Sequence, residues 1–218
     1  ASRHHRITAT APQLMQSMIE NPIPSRAEVL DVANAVLDGP DDVMLSAEPA
    51  IGNLPVQVIE ALNRICLGAE RHFEAEGGDG SHLNVRFERI DQAIAMAAMF
   101  MATNVSVQAI VALTESGSTA QWLSRVQSSV PIFAFSTNKA SRRRMAIYRD
   151  VFPVKLTAEC DDADAVVSDA LRTLLAHGAV KENDRVLITM GDQMCRSGGT
   201  NTLRFVRLDA EARDRYGI

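Results

Sequence analysis

From residue 107 to residue 208 the chain repeats one pattern: a short apolar run, a loop, then an amphipathic stretch. Apolar runs fall at 107–113, 131–135, 151–155 and 185–190, with helical periodicity between them at 118–126, 139–148 and 163–176. Strands separated by helix-length segments have room for crossovers, and crossovers build a parallel sheet with helices on both faces. A fifth run, 203–208, is joined to the fourth only by the glycine-bearing loop "GDQMCRSGGTNT". No crossover helix fits there, so the last strand is expected to be antiparallel. Pro153 lacks a donor for the ladder, which predicts a short strand or an edge position.

Ahead of this region the order is helix, strand, helix. In "PSRAEVLDVANAVLDGP" Ser25 stands three residues before Glu28, the spacing of a capping box, and Gly39-Pro40 supplies a stop. Val29, Val32, Ala33, Val36 and Leu37 share one face at helical spacing. Residues 41–47 read as a short buried strand. A second amphipathic helix is expected over 55–71 through Val58, Ile59, Leu62, Ile65, Cys66 and Ala69. From His72 to Arg86 periodicity gives way to glycine and acid, as in a linker, and a boundary is expected at 75/76, dividing 1–75 from 76–218. The methionine-rich segment 89–102 predicts a tightly buried helix, and the polar tail "DAEARDRYGI" a loose end.

Composition bounds the function. With 46% hydrophobic and 22% charged residues the chain has the makings of a real core. A formal charge of −5 argues against general attraction to nucleic acid or anionic membrane, while the local run Ser141 to Arg144, "SRRR", suits either a solvated helix face or an anion contact. No window approaches the roughly 20 apolar residues of a membrane span and no signal peptide opens the sequence, so a soluble, cytoplasmic protein is expected. Cys66, Cys160 and Cys195 fit reduced thiols, with Cys66 on an apolar helix face, and the five histidines show no ligand spacing. No metal site is expected.

In an open α/β sheet ligands gather at the carboxyl ends of the strands. "TESGST", residues Thr114, Glu115, Ser116, Gly117, Ser118 and Thr119, occupies such an end. Hydroxyls and backbone N–H groups there suit a phosphate or carboxylate, although serine and glycine serve turns and caps equally well. Glu115 would repel an anion unless it points away. The loop has neither the Gly-Lys-Ser/Thr ending of a P-loop nor a dinucleotide fingerprint. A second small-residue loop around Arg196 to Asn201 would close over the same ligand if the two strands are neighbours; otherwise its glycines serve a hairpin. No nucleophile-base pair is legible from spacing, and helix capping is a sufficient account of Glu28 and Asp31.

Several long motifs add a resemblance. "ITAT", the run "QLMQSMIENPIPSRAEVLDVANAVLDGPDDVMLSAEPAIGNLP" and "ICLGAE" resemble the last strand-helix units of the pyruvate kinase barrel; "TESGSTA" and "GGTNTLR" resemble its C-terminal domain, in the same order. The resemblance implies an α/β chain with the C-terminal part of a (β/α)8 barrel in 1–75, then a separate regulatory α/β domain in 76–218 with a mostly parallel five-stranded sheet and an antiparallel last strand. Family members transfer a phosphoryl group from phosphoenolpyruvate to ADP with Mg2+ and often K+, as allosteric homotetramers. By resemblance Thr10 contacts substrate. Residues Thr114 to Thr119 grip the phosphate of a sugar-phosphate or nucleotide effector, and Met194, Cys195, Arg196, Ser197, Gly198 and Gly199 close over it. The family's catalytic lysine and acidic metal ligands belong to earlier barrel strands, so this stretch by itself is expected to be inactive. Local departures are Ala11-Pro12 after "TAT", Gln16 for a glutamate, Pro40 and Pro49 for threonines, and Asp42 and Ile51 for small residues. Pro49 removes a backbone donor from what the resemblance makes an active-site loop.

Overall fold

The computed structural model describes residues 7–11, 14–75, 87–126, 128–159, 162–192 and 198–218. It divides into two compact units, Ala1–Leu83 and Asn84–Ile218. In the first, β1 (Ala9–Thr10) and β2 (Asp42–Val43) pair in parallel, Thr10 opposite Val43. Between them a 3-10 turn, Gln16–Ile19, leads into α1 (Arg26–Leu37). After β2 come the short α2 (Ala47–Ile51) and the long α3 (Pro55–Ala75), which packs on α1. Leu14, Met15, Met18, Val32, Val58 and Ala61 form the core, with Cys66 packed at its margin.

The capping box forms: Ser25 Oγ accepts from Glu28 N–H, and the Glu28 carboxylate accepts from Ser25 N–H at 2.8 Å. Two expectations here need correction. Leu37 is exposed while Ala35 is buried, because the contact with α3 follows the Val32, Ala35, Val36 row. The expected strand 41–47 shrinks to two residues, with Asp42 exposed, because the Glu48 carboxylate accepts from Ser46 N–H at 3.0 Å and turns the chain into α2. Pro49 falls in the first turn of that helix, where an N–H has no intrahelical acceptor in any case. Helix α3 runs past His72 to Ala75, since backbone hydrogen bonding outlasts the apolar face; the rest of the expected linker, 76–86, lies outside the described residues, as do residues 1–6.

The second unit opens with α4 (Ile90–Asn104). Strands β3 (Ala109–Leu113), β4 (Ile132–Ser136), β5 (Val151–Lys155), β6 (Arg185–Gly191) and β7 (Thr200–Arg207) follow, with α5 (Ser118–Leu123), α6 (Lys139–Met145) and α7 (Ala163–Ala176) in the crossovers and α8 (Ala210–Tyr216) last. The sheet order is β5-β4-β3-β6-β7, parallel except for β7, which runs antiparallel to β6. Alternate residues of the central strands feed two cores. Ala109, Val111, Leu113, Val186, Ile188 and Met190 face α7 and α8; Ile110, Ala112 and Leu187 face the side of α4, α5 and α6.

Helix α4 meets the sheet through Ala95, Ala98, Met99 and Ala102, while Met96 and Met101 are half-buried and Phe100 is exposed, so the expected tight burial of the methionine run holds for one face only. Helices α5 and α6 stop before 126 and 148 because the N–H groups of Val126 and Tyr148 bond three residues back, closing the ends as tight turns. The expected loose tail is instead a helix. Asp209 caps α8, Ala212 and Tyr216 are buried, and Arg204 reaches both Asp164 (2.7 Å) and the Tyr216 hydroxyl (3.3 Å). Two buried positions in a polar stretch are too few to register as periodicity.

Strand β5 forms one edge, as Pro153 predicts. Ile132 N–H bonds to Asp150 C=O and Leu156 N–H to Ser136 C=O, so the even-numbered residues of this strand face β4. Pro153 therefore stands on the outward row. No helix among the described residues is long and apolar enough to cross a membrane.

Candidate functional site

At the carboxyl end of β3, Thr114 N–H still bonds to Phe135 C=O at 3.0 Å, and the chain then turns sharply. Gly117 makes the turn with φ of 85°, and a Cβ there would lie 2.9 Å from Met145 Cγ, so both conformation and space require glycine. The loop organises itself. Thr114 Oγ1 accepts from Gly117 N–H at 3.0 Å, and Ser116 Oγ accepts from Ser118 N–H at 3.4 Å while donating to Ser118 Oγ at 3.1 Å.

The neighbouring loop after β4 holds Glu115 aside. Thr137 Oγ1 donates to its carboxylate at 3.0 Å, and Ser136 Oγ donates to its carbonyl at 3.3 Å. Glu115 thus engages the β4 side. Arg142, from the "SRRR" run, donates to the carbonyls of Ser136 (2.7 Å) and Thr137 (2.8 Å), making it a brace for that loop, whereas Arg143 and Arg144 are exposed.

Strands β3 and β6 are neighbours, which brings the second loop to the same end of the sheet. Of its expected residues, Met194, Cys195, Arg196 and Ser197 lie outside the described residues. Gly198 has φ of 76°, and Gly199 C=O lies so close to Gly191 that a Cβ on Gly191 would sit 2.4 Å from the oxygen. Asp192 anchors the loop base: its carboxylate accepts from Asn201 Nδ2 at 2.8 Å and Thr202 Oγ1 at 3.3 Å. A direct tie between the two loop systems is seen among the described residues. Thr119 Oγ1 and Thr200 Oγ1 are hydrogen-bonded at 2.7 Å, with the residues 1% and 8% exposed. The Thr119 hydroxyl is therefore turned inward, toward β7. Thr137 and Asp192 were not among the sequence candidates, and Thr200 stood there only as part of the 196–201 loop; their signal lies in pairing across the fold.

In the first unit Thr10 ends β1, and its carbonyl accepts from Met44 N–H at 2.9 Å. Carboxyl ends of parallel strands are the functional face of β/α barrels. Two carboxylates brace the chain beside it. Glu48, 1% exposed, accepts from Met15 N–H at 3.3 Å and Ser46 N–H at 3.0 Å. Glu28 accepts from Ser17 N–H at 2.7 Å, from the Ser17 hydroxyl, and from Ser25 N–H. Burial opposes ionisation of both, yet these hydrogen bonds prevail and hold both carboxyls below the ordinary glutamate value. Burial raises the Cys66 thiol, with the charge of Glu70 adding to it. Among the described residues no group of three or more His, Cys, Asp or Glu side chains stands together to hold a metal ion.

A unit of strand-helix repeats with a parallel strand pair, followed by a five-stranded α/β unit with glycine-bearing loops at its strand ends, defines a two-part α/β protein. Residues 1–59 match the family described as pyruvate kinase, barrel domain, and residues 92–206 match pyruvate kinase, alpha/beta domain. The chain belongs to the pyruvate kinase family. It is 43% identical over 210 residues to pyruvate kinase II of Salmonella typhimurium, covering 96% of this chain and 43% of that protein. It is 42% identical over 209 residues to a pyruvate kinase of Buchnera aphidicola subsp. Schizaphis graminum, covering 95% and 43%. A Haemophilus influenzae pyruvate kinase is 42% identical over 199 residues, covering 91% and 40%. The chain thus spans less than half the length of these curated relatives.

Proposed function

We propose that this chain contributes the barrel end (1–75) and the regulatory domain (76–218) to phosphoryl transfer from phosphoenolpyruvate to ADP, giving pyruvate and ATP. Thr10 contacts substrate. The Thr114 to Thr119 loop takes the phosphate of a sugar-phosphate or nucleotide effector, and residues 194–199 close over it. The observation that carries this reading is the adjacency of β3 and β6, which sets two loops, far apart in sequence, at one end of the sheet beside an anion-repelling Glu115 that is bonded away. The hydroxyls and backbone of the first loop supply polar contacts without a metal.

Mg2+ and K+ serve the complete enzyme. Among the described residues no three or more His, Cys, Asp or Glu side chains cluster together, and no step is assigned to these ions. The complete enzyme is a cytoplasmic homotetramer in this reading, with helices of the second unit at its contacts.

A lactate dehydrogenase-coupled assay with phosphoenolpyruvate, ADP and Mg2+, run with glucose 6-phosphate or AMP, tests the proposal on this 218-residue chain. Effector binding by calorimetry with turnover absent is the expected result; turnover by this chain alone would overturn the assignment of catalytic groups to other barrel strands. A second reading, a non-catalytic sugar-phosphate-binding or oligomerisation module, is favoured by the two complete cores of the second unit. It predicts the same binding, but no gain of activity when the chain is joined to the earlier barrel units of a relative.

A further inference from the structure

We infer that Thr200 is a positioning residue for the phosphate loop, acting through Thr119. This rests on the reading of residues 114–119 as a phosphate-ester site. Thr119 is the second residue of α5 and Thr200 the first of β7, 81 positions apart, and their hydroxyls meet at 2.7 Å inside the protein. The geometry gives Thr119 a role different from that of the residues before it. Its hydroxyl is directed at Thr200, so it shapes the site by tethering the loop.

The tether has a defined counterpart. On its β6 side the start of β7 lies close against β6, with the Gly199 carbonyl in the space a Gly191 Cβ would take, where the register of the two strands shifts between Met190 and Gly191. On its α5 side the Thr119–Thr200 bond links the first loop to this return strand. The first loop is also held on its far flank by Thr137 and Ser136 from the β4 side. The turn at Gly117 is thus suspended between two braces, and releasing the Thr200 brace lets the loop donors shift relative to a bound phosphate. Misplacement by a fraction of an ångström weakens charge-assisted hydrogen bonds without removing any of them.

A buried hydroxyl left without its partner also strains the fold, so binding and stability need separate measurement. Calorimetric titration of the 218-residue chain with glucose 6-phosphate and with AMP, alongside thermal melting, provides both. Thr200→Val and Thr119→Val are each expected to raise Kd for the bound probe by about tenfold. Thr200→Ser keeps the hydroxyl and is expected to stay within about twofold of the unsubstituted chain. The double variant T119V/T200V leaves no unpaired buried hydroxyl, so it folds even where a single variant does not, and its Kd is expected to match the single variants because one bond is lost in all three. Binding by Thr200→Val or by the double variant as tight as that of the unsubstituted chain would overturn the inference and leave the site itself standing. If the unsubstituted chain binds neither probe, the site reading falls and the inference with it.

Discussion

The two units use the same ingredients, parallel strands joined by helices, with opposite results. In the second, strands of five to eight residues form one sheet whose central members are covered on both faces, β3 being buried along its whole length and β6 along all but its first residue. In the first, two strands of two residues each support a small core, and Ile23, Ile51 and Val56 are 74%, 73% and 69% exposed. Parallel strands are stable when both faces are covered. The second unit meets that condition at its central strands and leaves apolar side chains such as Phe152 and Phe205 open on its edge strands, whereas the first has no strand buried along its length among its described residues.

The contrast is sharpest in core substitutions. Phe135→Ala, at a fully buried position of β4, is expected to cost about 3–5 kcal/mol in the second unit. Trp122, the single tryptophan, belongs to that unit and reports its unfolding by fluorescence during denaturant titration. Leu14→Ala in the first unit is expected to leave that transition in place; a shared loss would mean the two units unfold as one. Next in size is Gly191→Ala, where the new Cβ meets the Gly199 carbonyl. A cost of about 1–3 kcal/mol is expected in the same fluorescence transition, with crowded backbone unable to move aside as a flexible side chain would.

Smaller effects test the first unit. Ser25→Ala removes the α1 cap and is expected to cost about 1 kcal/mol, read by hydrogen exchange of α1 amides with the Trp122 transition unchanged. Acidification gives a further readout. Glu28 and Glu48 have folded pKa values below their unfolded ones, so the stability they confer is full above the unfolded value and declines as pH falls through the folded one. Protection factors of the amides near Ser17 and Met15, taken relative to the intrinsic exchange rate at each pH, are expected to fall as the pH drops below the ordinary glutamate value, and Glu28→Gln is expected to flatten that dependence. An unchanged profile in Glu28→Gln would assign the titration elsewhere.

What was legible in the sequence follows the range of the interactions. The capping box of Ser25 and Glu28 spans three residues and was readable directly; so was the reversal of β7, because the loop before it cannot hold a crossover. Pro153 marked its edge through chemistry of its own. The α8 helix escaped because its stability comes from Arg204, Asp164 and Ser168, contributed by other elements. Residues 41–47 looked like a strand because Glu48, which turns the chain by accepting from Ser46 N–H, is also bonded to Met15 N–H, 33 residues away. At the candidate site, the small residues and Gly117 were visible, while the diversion of Glu115 by Thr137 and the pairing of Thr119 with Thr200 depend on separations of 22 and 81 residues. Periodicity and turn chemistry carry no signal at that range.

Pro153 has a consequence for the company this protein keeps. A strand arriving at the outer side of β5 would look for a row of alternating donors, and at the middle of that row it would meet a pyrrolidine ring. The incoming strand would forfeit the central bond of a five-residue ladder, and the ring would push it away from the flanking ones. Crowded chains emerging from synthesis cannot readily stitch their sheets together along this side. One residue thus acts as a selvedge, finishing the fabric so that it does not extend.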